Sequence, residues 1–228
     1  MTPRRARGAA AFCAFSALCA MPGLSHALTE TEPLPMVFER APESAERPNS
    51  QPVAQLHVAS GCTLYLQSID DLRLNKANVG NLTVMLPTLH ATPVSVQSIQ
   101  GGDAGPWVRG ALQSAGRYGL QVVVAAAPPS TGAPRQVTAD MALRLAHAWS
   151  AGLNLVSHVV LQTTYRTPGV EPVVRQYHGM GTRTNWANGN GEFMSVLNLG
   201  IEEAVRGMAI DAAALCEGRP LPERTAPP

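Results

Sequence analysis

Apolar and polar positions alternate most regularly in the middle of the chain. Val137, Ala139, Met141, Leu143, Leu145, His147 and Trp149 occupy every second place, with Asp140 and Arg144 between them. Leu153, Leu155, Ser157, Val159, Leu161 and Thr163 resume the same period after Ala151-Gly152. A period of two puts one set of side chains on each face of a sheet, so this stretch predicts two antiparallel strands. A three-residue loop, Ser150 to Gly152, would place Gly152 in the left-handed position of the turn. That register sets Leu143 against Val159 and Met141 against Leu161, with both apolar faces coinciding. It also sends His147 and His158 to opposite sides of the sheet. After a turn at Thr167 to Pro172, Val173 to Trp186 predicts a further strand.

Upstream, Gln55 to Ser68 reads as the first strand, with Cys62, Leu64 and Leu66 alternating against polar neighbours. Asp70 to Gly80 is a polar loop. Leu82 to Leu89 and Pro93 to Ile99 predict two short strands. Leu120 to Ala127 is a continuous apolar run, the pattern of a central strand covered on both faces.

Two stretches change to the helical period. Asp103 is positioned as an N-cap and Pro106 suits the first turn that follows. Trp107, Ala111, Ala115 and Tyr118 then share one helical face, and Gly119 ends the segment. From Glu192 to Glu217, the residues Phe193, Leu197, Ile201, Val205, Met208, Ala212 and Leu215 recur at steps of three and four. The fold class expected from these elements is α+β: a mainly antiparallel sheet with two helices packed on one face.

The two ends carry neither period. Residues 1–27 read as an export signal: Arg4, Arg5 and Arg7, an apolar run from Gly8 to Leu24, then Ser25-His26-Ala27 as a small-residue cleavage site. Cys19 is preceded by Leu18, too large for a lipoprotein signal, although lipid anchoring through Cys19 stays open. Residues 28–55 hold Pro33, Pro35, Pro42, Pro48 and Pro52 among Glu, Ser and Thr, the composition of a disordered arm. Residues 56–217 are expected to be a single domain and 218–228 a disordered tail.

Composition narrows the class. Of 228 residues, 45% are hydrophobic and 14% charged, which suits a globular chain and excludes a disordered one. The formal charge of +1 provides no basic field, so no nucleic-acid partner is expected. Loss of Arg4, Arg5 and Arg7 with the signal leaves the mature chain slightly acidic. It keeps Cys62 and Cys216, which in an oxidising compartment most simply form one disulfide, the alternative being two separate buried thiols. A periplasmic location follows from the signal.

One constellation is familiar. A strand, then Asp71-Leu72-Arg73-Leu74-Asn75-Lys76 and Gly80, then Pro106-Trp107-Val108 opening a helix with Ala111-Leu112, resembles YajG-type lipoproteins. These share their fold with ABC-transport auxiliary components. The second half is similar too, with long hairpin strands, a strand ending near Asn185-Trp186, and a helix like Glu192 to Leu215. The resemblance covers about 150 residues. It implies an envelope-associated, non-enzymatic helix-on-sheet domain.

The polar residues add little chemistry. Asp70, Asp71 and Arg73 could hold a cation or do acid–base work; the simpler reading is that Asp71 caps a turn and pairs with Arg73. Asp71, Arg73 and Trp107 are the candidate binding residues. His57, His90, His147, His158 and His178 show no metal-ligand spacing, and no metal is expected. There is no G-x-S-x-G elbow and no phosphate-loop motif, so neither catalytic residues nor cofactors are expected. The expected function is a non-catalytic periplasmic accessory module with an envelope protein partner and peripheral contact with a membrane. The alternative is a carrier of a small ligand or lipid in a groove between sheet and helices.

Overall fold

The longest strand, β5 (Gln136–Ala151), is the axis of the sheet in the computed structural model. Residues 33–40, 61–85, 91–97, 102–125, 135–166, 171–185 and 189–221 are described, the side chains of 82–85 and 91–97 excepted. Along one edge β5 pairs antiparallel with β6 (Asn154–Arg166), which pairs antiparallel with β7 (Val173–Thr184). Along its other edge it meets two strands in succession, both parallel to it. β1 (Cys62–Asp71) lies against Gln136 to Leu143, and β2 (Asn78–Met85) rejoins at Ala148 and Trp149. β3 (Ala91–Gln97) extends β2 in antiparallel fashion, and β4 (Leu120–Val124) extends β1 in parallel. The class is α+β, with a seven-stranded sheet that is mixed rather than purely antiparallel.

Two strand expectations need correction. β4 is not central: among the described residues it pairs only with β1, and Val124 is half exposed. The β5–β6 register also differs. Leu143 opposes Leu161, Met141 opposes Thr163 and Ala151 opposes Asn154, with a two-residue turn at Gly152-Leu153 where Gly152 has φ 61°. Between Leu143 and Leu145 the register slips by one residue, a β-bulge at Arg144. The physical consequence is a change of parity. Below the bulge Val137, Ala139, Met141 and Leu143 are buried; above it Ala146 and Ala148 are. Leu145, His147 and Trp149 therefore turn to the opposite face. His147 opposes His158 directly, on the same side of the sheet.

The long helix α2 (Asn190–Cys216) packs against β7, β6 and β5, and α1 (Gly105–Gln113) against β1, β4 and α2. Close approach is made by glycine. A Cβ on Gly179 would run into the Gly200 carbonyl, and one on Gly181 into the Val196 carbonyl. Ser157, fully buried beneath α2, donates to the Val196 carbonyl at 2.6 Å and accepts from the Gly181 amide at 3.1 Å. Trp107 of α1 donates from Nε1 to Asn198 Oδ1 of α2 at 2.7 Å. Farther along α2, Tyr177 donates to the buried Asp211 carboxylate at 2.8 Å and meets Tyr165 at 2.7 Å, hydroxyl to hydroxyl. Burial first, then Tyr165 and Asp211, push the Tyr177 hydroxyl far above its ordinary pKa.

Asp103 caps one residue earlier than the helix start requires, accepting from the Gly105 amide at 2.8 Å. After α1 the chain tightens into a 3-10 turn, Ser114–Tyr118, and Gly119 (φ 83°) closes it. Cys62, the first residue of β1, is disulfide-bonded to Cys216, the last of α2, with Cα atoms 5.8 Å apart.

The disordered-arm expectation is corrected for residues 33–40. Leu34 and Met36 are buried in the core, Phe38 covers Gly110, and the Val37 carbonyl lies 3.5 Å from Asn198 Nδ2. Apolar side chains at alternate places, not the intervening prolines, decide the behaviour of this segment. The expected signal, the remainder of 28–55, the tail from 222, His57, His90 and Trp186 lie outside the described residues.

Candidate functional site

Between β1 and β2 the chain leaves the edge of β5 after Leu143 and returns at Ala148. The excursion is closed by its own polar residues. The Asp71 carboxylate takes a bidentate grip on the Arg73 guanidinium, 2.9 Å from Nε and 2.7 Å from Nη2, and accepts the Arg73 amide at 3.2 Å. Arg73 Nη2 lies a further 3.4 Å from the Lys76 carbonyl. Asn75 Oδ1 accepts the amides of Ala77 and Asn78, and Asn78 Oδ1 accepts that of Gly80. These side-chain-to-backbone bonds are what Asn and Asp contribute to turns. Gly80 (φ 149°) brings the chain back so close to β5 that a Cβ would overlap the Ala148 carbonyl.

The Asp71–Arg73 pair is buried, with side chains 9% and 3% exposed. Burial works to raise the Asp71 pKa. It is outweighed by the hydrogen bonds from Arg73 and by the charges of Arg73 and Lys76, which hold the carboxyl below its usual range. Both groups are consumed by the turn. What the turn presents outward is apolar: Leu72 is half exposed and Leu74 fully exposed. The Leu72 amide donates to the Leu143 carbonyl at 2.9 Å, and Leu145, 40% exposed, follows two residues along β5. Lys76 and Arg144 are exposed beside them.

Asp71 and Arg73 are thus brought together. Trp107 is engaged elsewhere, fully buried between α1 and α2 and bonded to Asn198, so it offers no surface to a ligand.

A second constellation was missed by sequence reasoning. The sheet face turned away from α2 carries His147, Trp149, His158, His178 and Met180. Trp149 lies nearly parallel to His158, with ring centroids 5.0 Å apart at 19°, and 5.8 Å from His147. His158 and His178 have ring centroids 4.6 Å apart at 25°, with His158 Nδ1 facing His178 Nε2 within hydrogen-bond reach. Burial lowers the pKa of His147; burial, then His178 and His147, lower that of His158. Ala146 and Ala148 are small enough to suit either face, and they hid the parity change that gathers these rings.

A cavity of about 410 Å³ opens between residues 35–40 and the start of α2. Arg40, Arg183 and Ser195 line it with Val37, Met194 and Glu39, and Arg183 donates to Ser195 Oγ.

No family model and no curated protein matches the chain. Distant likenesses exist among solved structures. Protein XCC0632 from Xanthomonas campestris, of family-model DUF330, aligns over 80% of this chain and 94% of its own at 8% identity, TM-score 0.43. A candidate lipoprotein from Caulobacter crescentus aligns over 49% and 81% at 13% identity, TM-score 0.35. The PelC dodecamer subunit from Paraburkholderia phytofirmans aligns over 66% and 90% at 16% identity, TM-score 0.33. Likenesses this weak carry no functional argument for this chain, and the YajG-type resemblance is without a family match.

Proposed function

We propose that the protein is an exported, non-catalytic interaction module of the bacterial cell envelope, accessory to a transport or assembly complex, and that the turn after β1 is its contact point. The observation that carries this reading is Leu74, fully exposed on a turn closed by the buried Asp71–Arg73 pair. A leucine held in place by its scaffold loses little conformational entropy on docking, so its apolar surface is available for binding. Leu72 and Leu145 widen the apolar patch, and Lys76 and Arg144 rim it with positive charge. The complementary partner is an envelope protein with an apolar pocket bordered by carboxylates. The Cys62–Cys216 disulfide fits an oxidising compartment.

The carrier alternative finds no room where Gly179 and Gly181 bring β7 against α2. The cavity beside Arg40 and Arg183 favours a second reading, carriage of a small anion at the domain's rim.

The test is site-specific photo-cross-linking in cells, with the reactive group at position 74 and, as control, at Ile210, which is 37% exposed on α2. Position 74 should give one discrete adduct that disappears when Leu72→Ser is added. Equal labelling at both positions, or none at 74, sinks the contact-point reading. A bound anion in native mass spectra would promote the carrier reading.

A further inference from the structure

We propose that the open face of the β5–β6–β7 meander holds a copper ion, with His158 Nδ1, His178 Nε2 and the Met180 thioether as donors and His147 as the flanking imidazole. The inference rests on different residues from the turn and is independent of the contact reading.

The geometry of the two facing rings comes first. A small interplanar angle with a 4.6 Å centroid separation could mean stacking. The facing nitrogens at hydrogen-bond distance require instead that the rings meet edge to edge, because the ring radius accounts for the remaining separation. Each nitrogen then aims at the other. Two imidazole nitrogens so placed need a cation between them, either a proton or a metal ion.

The register supplies the rest. His147 opposes His158, and His158 opposes Met180, so one row across three strands reads His, His, Met on a single face. Directly opposed side chains have Cβ atoms about 5 Å apart. His178 is the next outward-facing residue below Met180 on β7. Among the described residues no three His, Cys, Asp or Glu side chains are gathered to hold a metal, so the third donor must be of another kind. Met180, 43% exposed, is that donor.

The donor chemistry selects the metal. Imidazole nitrogens with a thioether sulfur suit copper, whereas calcium and magnesium need oxygen ligands. The nearest carboxylate on this face of β5, Asp140, is paired with Arg166 at 2.7 Å. The lowered His158 pKa agrees with a ring that is unprotonated, and so competent as a ligand, at neutral pH.

The experiment uses the mature, untagged, disulfide-bonded protein. Cu(I) is titrated anaerobically against bicinchoninate with ascorbate as reductant, and Cu(II) is followed by pulsed EPR. One copper per chain is expected, with quenching of Trp149 fluorescence and imidazole-nitrogen modulations from two rings. His158→Ala and His178→Ala should each weaken binding by at least about tenfold, no less than the loss of an outer-shell partner does. Met180→Leu should weaken Cu(I) binding by a similar factor and leave Cu(II) binding nearly unchanged, since only the softer ion favours thioether. Equal copper affinity in the wild type and the His158→Ala/His178→Ala double variant would overturn the site. So would EPR of the wild-type chain showing no imidazole nitrogens, a reading that depends on no variant.

Discussion

The two faces of β6 share one backbone and differ in almost everything else. On the α2 side Leu155, Ser157, Val159, Leu161, Thr163 and Tyr165 are buried, and the polar groups among them mostly serve the helix–sheet joint. On the other side Val156, His158, Val160, Gln162 and Thr164 are only half-buried. Strand propensity cannot account for the contrast, because β-branched residues occur on both sides. What separates them is α2 and the single bulge at Arg144. The bulge keeps Leu143 and Met141 under the helix while letting His147 and Trp149 look outward. One extra residue thus divides a continuous apolar stripe into a core and a recognition surface.

The largest way to break that contrast is to release α2 from β1. Cys216→Ser opens a loop spanning a sequence separation of 154. It should cost about 4–5 kcal/mol by chain entropy, read as a lower urea midpoint with unchanged slope. Asp71→Asn should cost about 3 kcal/mol or more, because it leaves the Arg73 guanidinium buried without its counter-charge. The wild-type pair also sets an acid limit. The folded Asp71 pKa lies below its unfolded value, so its contribution is complete above the ordinary carboxylate range and is lost as pH falls through the folded pKa. Acid unfolding curves of the wild type and Asp71→Asn should therefore converge at low pH.

Gly179→Ala tests the helix-side contact directly. It forces a methyl group into the Gly200 carbonyl and should cost about 3 kcal/mol. A cost under about 1 kcal/mol would mean that α2 slides freely over β7. Tyr177→Phe removes a donor from the buried Asp211 carboxylate and should cost about 2 kcal/mol. On the open face, His158→Ala should change stability by less than about 0.5 kcal/mol in the absence of copper. A larger loss there would show that the exposed rings belong to the scaffold, against the contrast drawn above.

Much of the framework was legible in the sequence, and the reasons are local. The helical steps from Phe193 to Leu215 and the two-residue period around Leu155 to Thr163 depend only on neighbouring residues, and both elements form there. The Asp71–Arg73 closure follows from short-range chemistry and was legible for the same reason. The misread features depend on partners distant in sequence. Leu120 to Val124 is as apolar as a central strand, yet its rank in the sheet is set by β1 alone. The bulge at Arg144 left no mark, since Ala146 and Ala148 suit either face. Trp107 looked available because its partner, Asn198, lies on the other helix. The residues 33–40 read as tether because proline dominates their composition, while Leu34 and Met36 decide their position.

The covalent bond between the first residue of β1 and the last of α2 also determines how the domain answers to force. The chain enters at Cys62 and leaves at Cys216, with Cα atoms 5.8 Å apart. Tension applied from upstream of Cys62 to downstream of Cys216 passes through the sulfur bridge and never reaches the sheet. The domain then behaves as a rigid bead on a taut line, shunted mechanically by its own crosslink, and only reduction would expose its strands to the load.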